Sequence, residues 1–134
     1  MTPTDTLART VWGEARSEGY EGMQAVASVV LNRIASGKTW WGADIESVCL
    51  EPWQFSCWNA NDPNRAKLLA VDQRDDQFVT ALEISAQAVA GTLPDNTNGA
   101  TTYKVTSLPW PAEWGEPVDP VAVIGQQSFY VLAG

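Results

Sequence analysis

Between Glu21 and Ala35 the side chains of Met23, Val26, Ala27, Val30, Leu31 and Ile34 recur at the spacing of one helical face through several turns. A segment with this pattern folds as a helix with a wide apolar stripe, and the rest of the chain must cover that stripe. Val26, Val29 and Val30 are β-branched, but burial outweighs their small propensity cost. The segment is expected to be the central helix, ended by Gly37.

The flanking segments read as further helices. Thr4 or Asp5 can cap a first helix that runs to about Glu18, where Gly19 interrupts it. A short helix fits Asp44 to Leu50. Asp62-Pro63 sets a capping Asp before a Pro at the first helical position, starting a helix through about Val71. Another begins near Asp75 or Asp76 and stops at Gly91. Past Gly99 the pattern changes. Ala100 to Thr106 alternates and is rich in Thr, Tyr and Val, a strand signal, and Val121 to Leu132, broken by Gly125, reads as one or two more. With neither repeat nor linker, residues 1–134 are expected to form one domain. Its class is α+β, mainly α, with a small C-terminal antiparallel hairpin or sheet.

The first helix carries an anomaly. Leu7, Val11, Glu14 and Glu18 fall along one stripe, and Glu14 stands where a soluble helix would place another Leu or Ile. A carboxyl group among apolar neighbours has its charged form disfavoured, so it can stay protonated near neutral pH and act as an acid. A slight rotation of the helix would instead leave both glutamates solvated. By helix phase Arg16 points away from Glu14, toward a salt bridge with a neighbouring loop, and Asn32-Arg33 is placed to tie the central helix to a loop.

Residue content removes several classes of chemistry. The chain has no histidine, so neither a Ser-His-Asp nor a Cys-His arrangement is possible, nor the usual His-containing catalytic zinc site. No metal and no cofactor are expected. Sixteen acidic against eight basic side chains give a net charge of -8 without a basic cluster, which argues against nucleic acid and leaves neutral glycans open. No run is long and apolar enough for stable membrane insertion.

Trp40, Trp41, Trp53, Trp58 and Phe55 crowd the segment from Lys38 to Asn61. Flat apolar rings near a carboxylate suit a sugar-binding cleft, and anchoring of a long loop accounts for them equally well. Cys49 and Cys57 fit either a disulfide formed in an oxidising compartment or two buried free thiols; with no His partner neither is a catalytic nucleophile.

Five ordered blocks carry a resemblance: Trp12-Gly-Glu-Ala-Arg-Ser-Glu-Gly, Gly22-Met-Gln-Ala-Val-Ala-Ser-Val-Val-Leu-Asn-Arg, Gln54-Phe-Ser-Cys-Trp-Asn, Gly99-Ala-Thr-Thr-Tyr with Pro111-Ala-Glu-Trp, and Ile124-Gly-Gln-Gln-Ser-Phe-Tyr. Together they resemble the SleB-type cell wall hydrolases, the catalytic domains of spore-cortex-lytic enzymes and their phage endolysin relatives. The resemblance implies a lysozyme-like helical fold acting on the glycan strands of peptidoglycan. It implies lytic transglycosylation between N-acetylmuramic acid and N-acetylglucosamine, with Glu14 as the catalytic glutamate. Gln54, Phe55 and Tyr103 match family positions around the cleft; Glu18 and Ser56 join them as expected substrate contacts. The chain departs from the family pattern at Thr102 and Gln127, where His is usual, so a proton-carrying role there is absent. A chain starting Met1-Thr-Pro-Thr-Asp-Thr lacks secretory-signal character. With the resemblance, that implies a monomeric phage endolysin made in the host cytoplasm and reaching the wall or periplasm through a holin.

One carboxylate suffices for a transglycosylase, because the muramyl 6-hydroxyl is an intramolecular nucleophile. A muramidase hydrolysing the same bond needs a second carboxylate, for which Glu18, Asp44, Glu51 and Asp62 are candidates. A non-catalytic glycan-binding phage protein is the alternative of a different class.

Overall fold

The computed structural model describes residues 1–132; the last two positions of the expected single domain lie outside the described residues. Five α-helices precede a small sheet: α1 Pro3–Ala15, α2 Gly19–Ser36, α3 Ile45–Leu50, α4 Pro63–Ala70 and α5 Asp76–Ala90. Strands β1 Thr102–Val105, β2 Ala122–Ile124 and β3 Gln127–Tyr130 form an antiparallel sheet in the order β1-β3-β2, with Tyr103 opposite Phe129 and Val105 opposite Gln127. The mainly helical α+β class holds. The longer strand expectations contract because each strand pairs over only three or four residues.

Local chemistry sets most boundaries. Asp44, Asp62 and Asp75 cap α3, α4 and α5 with their side chains, and Pro63 occupies the first turn of α4. Gly37 and Gly91 close α2 and α5 in the left-handed conformation that glycine adopts without a Cβ penalty. Two expectations at α1 are corrected. Its cap is Thr2, whose hydroxyl accepts from the Asp5 N–H at 3.1 Å, because Pro3 takes the first helical position; Asp5 is free to pair with Arg9. The α-helix also stops at Ala15, and Arg16–Glu18 forms a 3-10 turn. Gly19, at φ 74°, lets α2 start in a new direction two residues before the expected Glu21.

The central position belongs to α1 rather than to α2. Helix α1 packs against α2, α3, α4 and α5, and its buried residues include Thr6, Thr10 and Gly13 as well as Leu7, Ala8, Val11 and Trp12. Small and hydroxyl-bearing residues let neighbours approach from every side, and the Thr10 hydroxyl is satisfied within the helix by the Thr6 carbonyl at 2.8 Å. Helix α2 is a partition. Met23, Val26, Ala27 and Val30 join the helical core, while Ala25 and Val29 pack with Ala100 and Phe129 beneath the sheet.

Two neighbouring residues at the end of α2 fix where the sheet begins. Asn32 Nδ2 donates to the Ala100 carbonyl at 2.9 Å, and Arg33 Nε donates to the Thr101 carbonyl at 2.7 Å. These ties place Thr102 and Tyr103 opposite the C-terminal end of α1. No described helix is long and apolar enough to cross a membrane.

Candidate active site

Glu14 lies on the last turn of α1, at the wall of a groove between the helical core and the β1 side of the sheet. The groove has two lobes, of about 450 and 350 Å³, that share Arg33, Gln54, Thr102, Glu113 and Trp114. Glu14, Tyr103, Ser56 and Trp53 line the first lobe; Lys38, Trp40 and Trp41 line the second. Each lobe is within the size range of small-ligand clefts, and together they form an elongated trough.

The Tyr103 hydroxyl donates to Glu14 Oε1 at 3.0 Å. Burial raises the Glu14 carboxyl above its ordinary value, and the nearby Asp62 charge acts in the same direction; hydrogen bonds from Tyr103 and Cys57 oppose them. Burial and the Glu14 charge also raise the Tyr103 phenol well above its ordinary value, so it remains a donor. The result is a carboxyl group held in one orientation, partly shielded from water and shifted toward its protonated form.

The expected site residues separate. Glu14, Gln54, Ser56 and Tyr103 meet in one lobe. Glu18 does not join them: its carboxylate lies against Gly125 in the β2–β3 turn, where an added Cβ would stand 2.6 Å from Oε2. The 3-10 turn after Ala15 breaks the helical stripe that aligned it with Glu14. Phe55 is 1% exposed and sits beneath the Arg33 guanidinium, 5.0 Å from ring centre to carbon, so it supports the groove floor from below. Thr102 reaches the groove; Gln127, at the far end of β3, is absent from its lining.

The tryptophans divide between the two roles their residue types allow. Trp58 is an anchor, its Nε1 donating to Thr10 Oγ1 at 2.9 Å, whereas Trp40, Trp41 and Trp53 line the groove. Trp53 is 79% exposed at φ 67°, a backbone conformation rare for a bulky side chain and common at binding sites. Among the described residues Arg16 makes no salt bridge; it donates to Asn64 Oδ1 at 2.8 Å and stacks on Trp12. Cys49 and Cys57 are both buried and free.

Glu113 and Trp114 had no assigned role in the sequence, yet they line both lobes of the groove. Trp110 and Trp114 pack edge-on against Tyr130 at 5.0 and 5.9 Å, and this cluster holds the Pro-rich loop over the sheet. The available signal was a carboxylate beside an aromatic in Pro111-Ala-Glu-Trp. Among the described groove-lining residues, Glu113 is the one carboxylate besides Glu14. Asp44, Asp62 and Glu51 do not line it, and Asp44 and Asp62 are engaged as helix caps. No group of three or more His, Cys, Asp or Glu among the described residues is arranged to hold a metal ion. A separate hollow of about 420 Å³ holds Asp5, Arg9, Asp72 and Arg74, but its charges are already paired as Arg9–Asp5 and Arg74–Asp72.

The cell wall hydrolase family model matches residues 17–130. That span opens just after Glu14, so the case for Glu14 rests on its own setting. The fold is similar to the catalytic domain of the germination-specific lytic transglycosylase SleB from Bacillus anthracis, with a TM-score of 0.70 and 24% identity over 95% of this chain and 92% of that one. It is equally similar to the catalytic domain of the Bacillus cereus SleB protein, with a TM-score of 0.69 and 25% identity over 95% of this chain and 88% of that one. No curated protein matches the chain.

Proposed function

This chain belongs to the cell wall hydrolase family and is a peptidoglycan-cleaving enzyme; from that premise we propose that it is a lytic transglycosylase, with Glu14 as acid and then base. The substrate bond is the β-1,4 link between N-acetylmuramic acid and N-acetylglucosamine. The observation that carries the reading is the partly buried Glu14 carboxyl, shifted toward its protonated form and oriented by Tyr103 at the wall of an aromatic-lined trough.

In the proposed reaction the Glu14 proton passes to the glycosidic oxygen as the bond to the muramyl anomeric carbon breaks. Tyr103 donates to Oε1, and the transferred proton is assigned to the other carboxyl oxygen. The Glu14 carboxylate then accepts the proton of the muramyl 6-hydroxyl, whose oxygen closes onto the anomeric carbon. The products are a free N-acetylglucosamine end and a 1,6-anhydromuramyl end, with no water consumed. Holding both reacting groups in one sugar supplies the large effective concentration of intramolecular reactions. In this reading Gln54 and Ser56 bind hydroxyl or N-acetyl groups and Trp53 stacks on a sugar, supported by their lining the lobe that holds Glu14.

Glu113 supports a second reading. A second carboxylate lining the same trough suits a general base that activates water, which would make the enzyme a muramidase. Mass spectrometry of fragments released from purified peptidoglycan separates the two. Anhydro ends support transglycosylation, and reducing ends heavier by one water from the earliest times would replace it with hydrolysis. The proposal also takes the chain as a single catalytic domain working as a monomer, in the manner of a phage endolysin. Lysis from within that requires a co-expressed holin would support that setting.

A further inference from the structure

Six of the eight basic side chains lie away from the trough; Arg33 and Lys38 line its second lobe together. Arg33 is 5% exposed, and no carboxylate lies within 4 Å of either cation among the described residues. Arg33 uses Nε to hold the Thr101 carbonyl, while Nη1 makes a long 3.4 Å contact to Gln54 Oε1. A guanidinium has five N–H donors, so most of its capacity remains free. The Trp41 and Phe55 rings lie 5.4 and 5.0 Å from its central carbon. Lys38 Nζ stands 5.5 and 5.4 Å from the rings of Trp40 and Trp41 in the same lobe.

A buried cation with no carboxylate in direct contact is costly, and the carbonyl and long amide contacts offset only part of that cost. In a chain of net charge -8 these are the two basic side chains of the groove, whose carboxylates are Glu14 and Glu113. An entering carboxylate would complete both cations, meeting the planar donor edge of Arg33 and the point charge of Lys38. Glu113 lines the lobe too, so the lobe offers both signs to a ligand that carries carboxylates together with an amine.

We propose that the Arg33–Lys38 lobe is a carboxylate-binding subsite for the acidic substituent of the muramyl residue, its lactyl group or the stem peptide attached there. The inference rests on peptidoglycan being the substrate and names what the second lobe reads. Such a subsite would fix the register of the strand, bringing a muramyl residue rather than an N-acetylglucosamine to Glu14.

Binding is measured by tryptophan fluorescence and calorimetry on full-length protein carrying Glu14→Gln, so that no turnover intrudes. The probes are a GlcNAc–MurNAc-peptide, the same compound with every carboxylate amidated, and peptide-free GlcNAc–MurNAc. The acidic peptide probe is expected to bind about tenfold more tightly than its amidated form, the scale of one charge-assisted contact. Lys38→Gln is expected to narrow that ratio to about threefold. Arg33→Gln should narrow it as well, provided its circular dichroism matches the parent. The lactyl carboxyl is an amide in both peptide probes, so their ratio reads the stem-peptide carboxylates, and the peptide-free disaccharide reads the free lactyl carboxylate. Equal affinity for the acidic and amidated peptide probes together with peptide-free disaccharide binding no tighter than the amidated probe, or an acidic preference untouched by Lys38→Gln, overturns the subsite. A tighter acidic peptide probe assigns the site to the stem peptide; a tighter peptide-free disaccharide with equal peptide probes assigns it to the lactyl carboxylate. Failure here leaves the cleavage products unaltered, whereas failure of the transglycosylase reading appears in those products and leaves this ratio intact.

Discussion

The Tyr103 hydroxyl donates to Glu14 Oε1 at 3.0 Å, joining β1 to α1 across 89 positions of sequence. The candidate acid therefore depends on how the sheet docks. Asn32 and Arg33 fix the start of β1 by holding the carbonyls of Ala100 and Thr101, and Tyr103 follows directly. Phe129, opposite Tyr103 on β3, packs against its ring with centroids 5.5 Å apart and fills the space beneath it.

Glu14→Gln is expected to lower the rate of peptidoglycan lysis by about 10²–10⁴-fold, the usual worth of a general acid. The amide keeps the shape and can still accept from Tyr103, so the fold should survive. Turbidity clearing of purified walls, with circular dichroism of the variant, checks this; near-wild-type clearing by a folded variant would remove Glu14 from the mechanism.

The same substitution should stabilise the protein at neutral pH. Burial raises the folded-state Glu14 carboxyl above its unfolded value of about 4.3. Between those two pH values the folded state keeps a proton that the unfolded state has released, so wild-type stability falls as pH rises through the window. Glutamine removes that loss. The melting temperature of Glu14→Gln should match wild type near pH 4 and exceed it at pH 7, and a difference that stays constant with pH would contradict the raised carboxyl.

Tyr103→Phe separates positioning from simple structural support. The phenol hydrogen bond favours the Glu14 carboxylate, so its loss moves the Glu14 carboxyl further up. The falling alkaline limb of kcat/KM should shift to higher pH, while the maximum drops by about tenfold as orientation is lost. A lower maximum with an unmoved limb would mean that Tyr103 only supports the fold.

Legibility in the sequence follows the range of the interactions. Helices α3, α4 and α5 begin at Asp residues whose side chains reach only two or three positions ahead, so their starts can be read locally. The conspicuous apolar face of Met23 to Ile34 marked α2 as central, yet α1 holds that place. Burial of Thr6, Thr10 and Gly13 depends on what packs against them, and hydropathy does not register it. Glu14 was visible as a carboxylate on an apolar stripe. Glu18, on the same projected stripe, leaves it because the chain tightens into a 3-10 turn after Ala15. Glu113 and Trp114 reach the groove through the packing of Trp110, Trp114 and Tyr130, which no local pattern encodes.

The double substitution Cys49→Ser and Cys57→Ser is expected to keep activity per folded molecule within a few-fold. Burial pushes the Cys49 thiol up to about 12 and raises Cys57 as well, so neither supplies a thiolate at working pH. A hydroxyl at each buried site should cost about 1–3 kcal/mol of stability. Urea titration reads that loss, and complete inactivity of the folded double variant would give the thiols a part in the reaction.

Gly13→Ala sets two magnitudes against each other. In a solvent-exposed helix, alanine would gain about 0.5–1 kcal/mol over glycine. Here the new Cβ would stand 2.9 Å from Cys57 Cβ and 3.0 Å from both Cys57 Sγ and Leu68 Cδ2. Cys57 and Leu68 are themselves buried, at 1% and 0% exposure, so neither can swing into open space. Overpacking of this kind costs about 1–3 kcal/mol and exceeds the propensity gain, so a lower melting temperature is expected. The strain also falls on the residue before Glu14. Moving α1 away from Cys57 and Leu68 would displace Glu14 relative to the Tyr103 hydroxyl, so kcat should fall even at temperatures where the variant is fully folded. A variant as stable and as active as wild type would show that the segment carrying Cys57 yields freely, and that the position of Glu14 does not depend on this close approach.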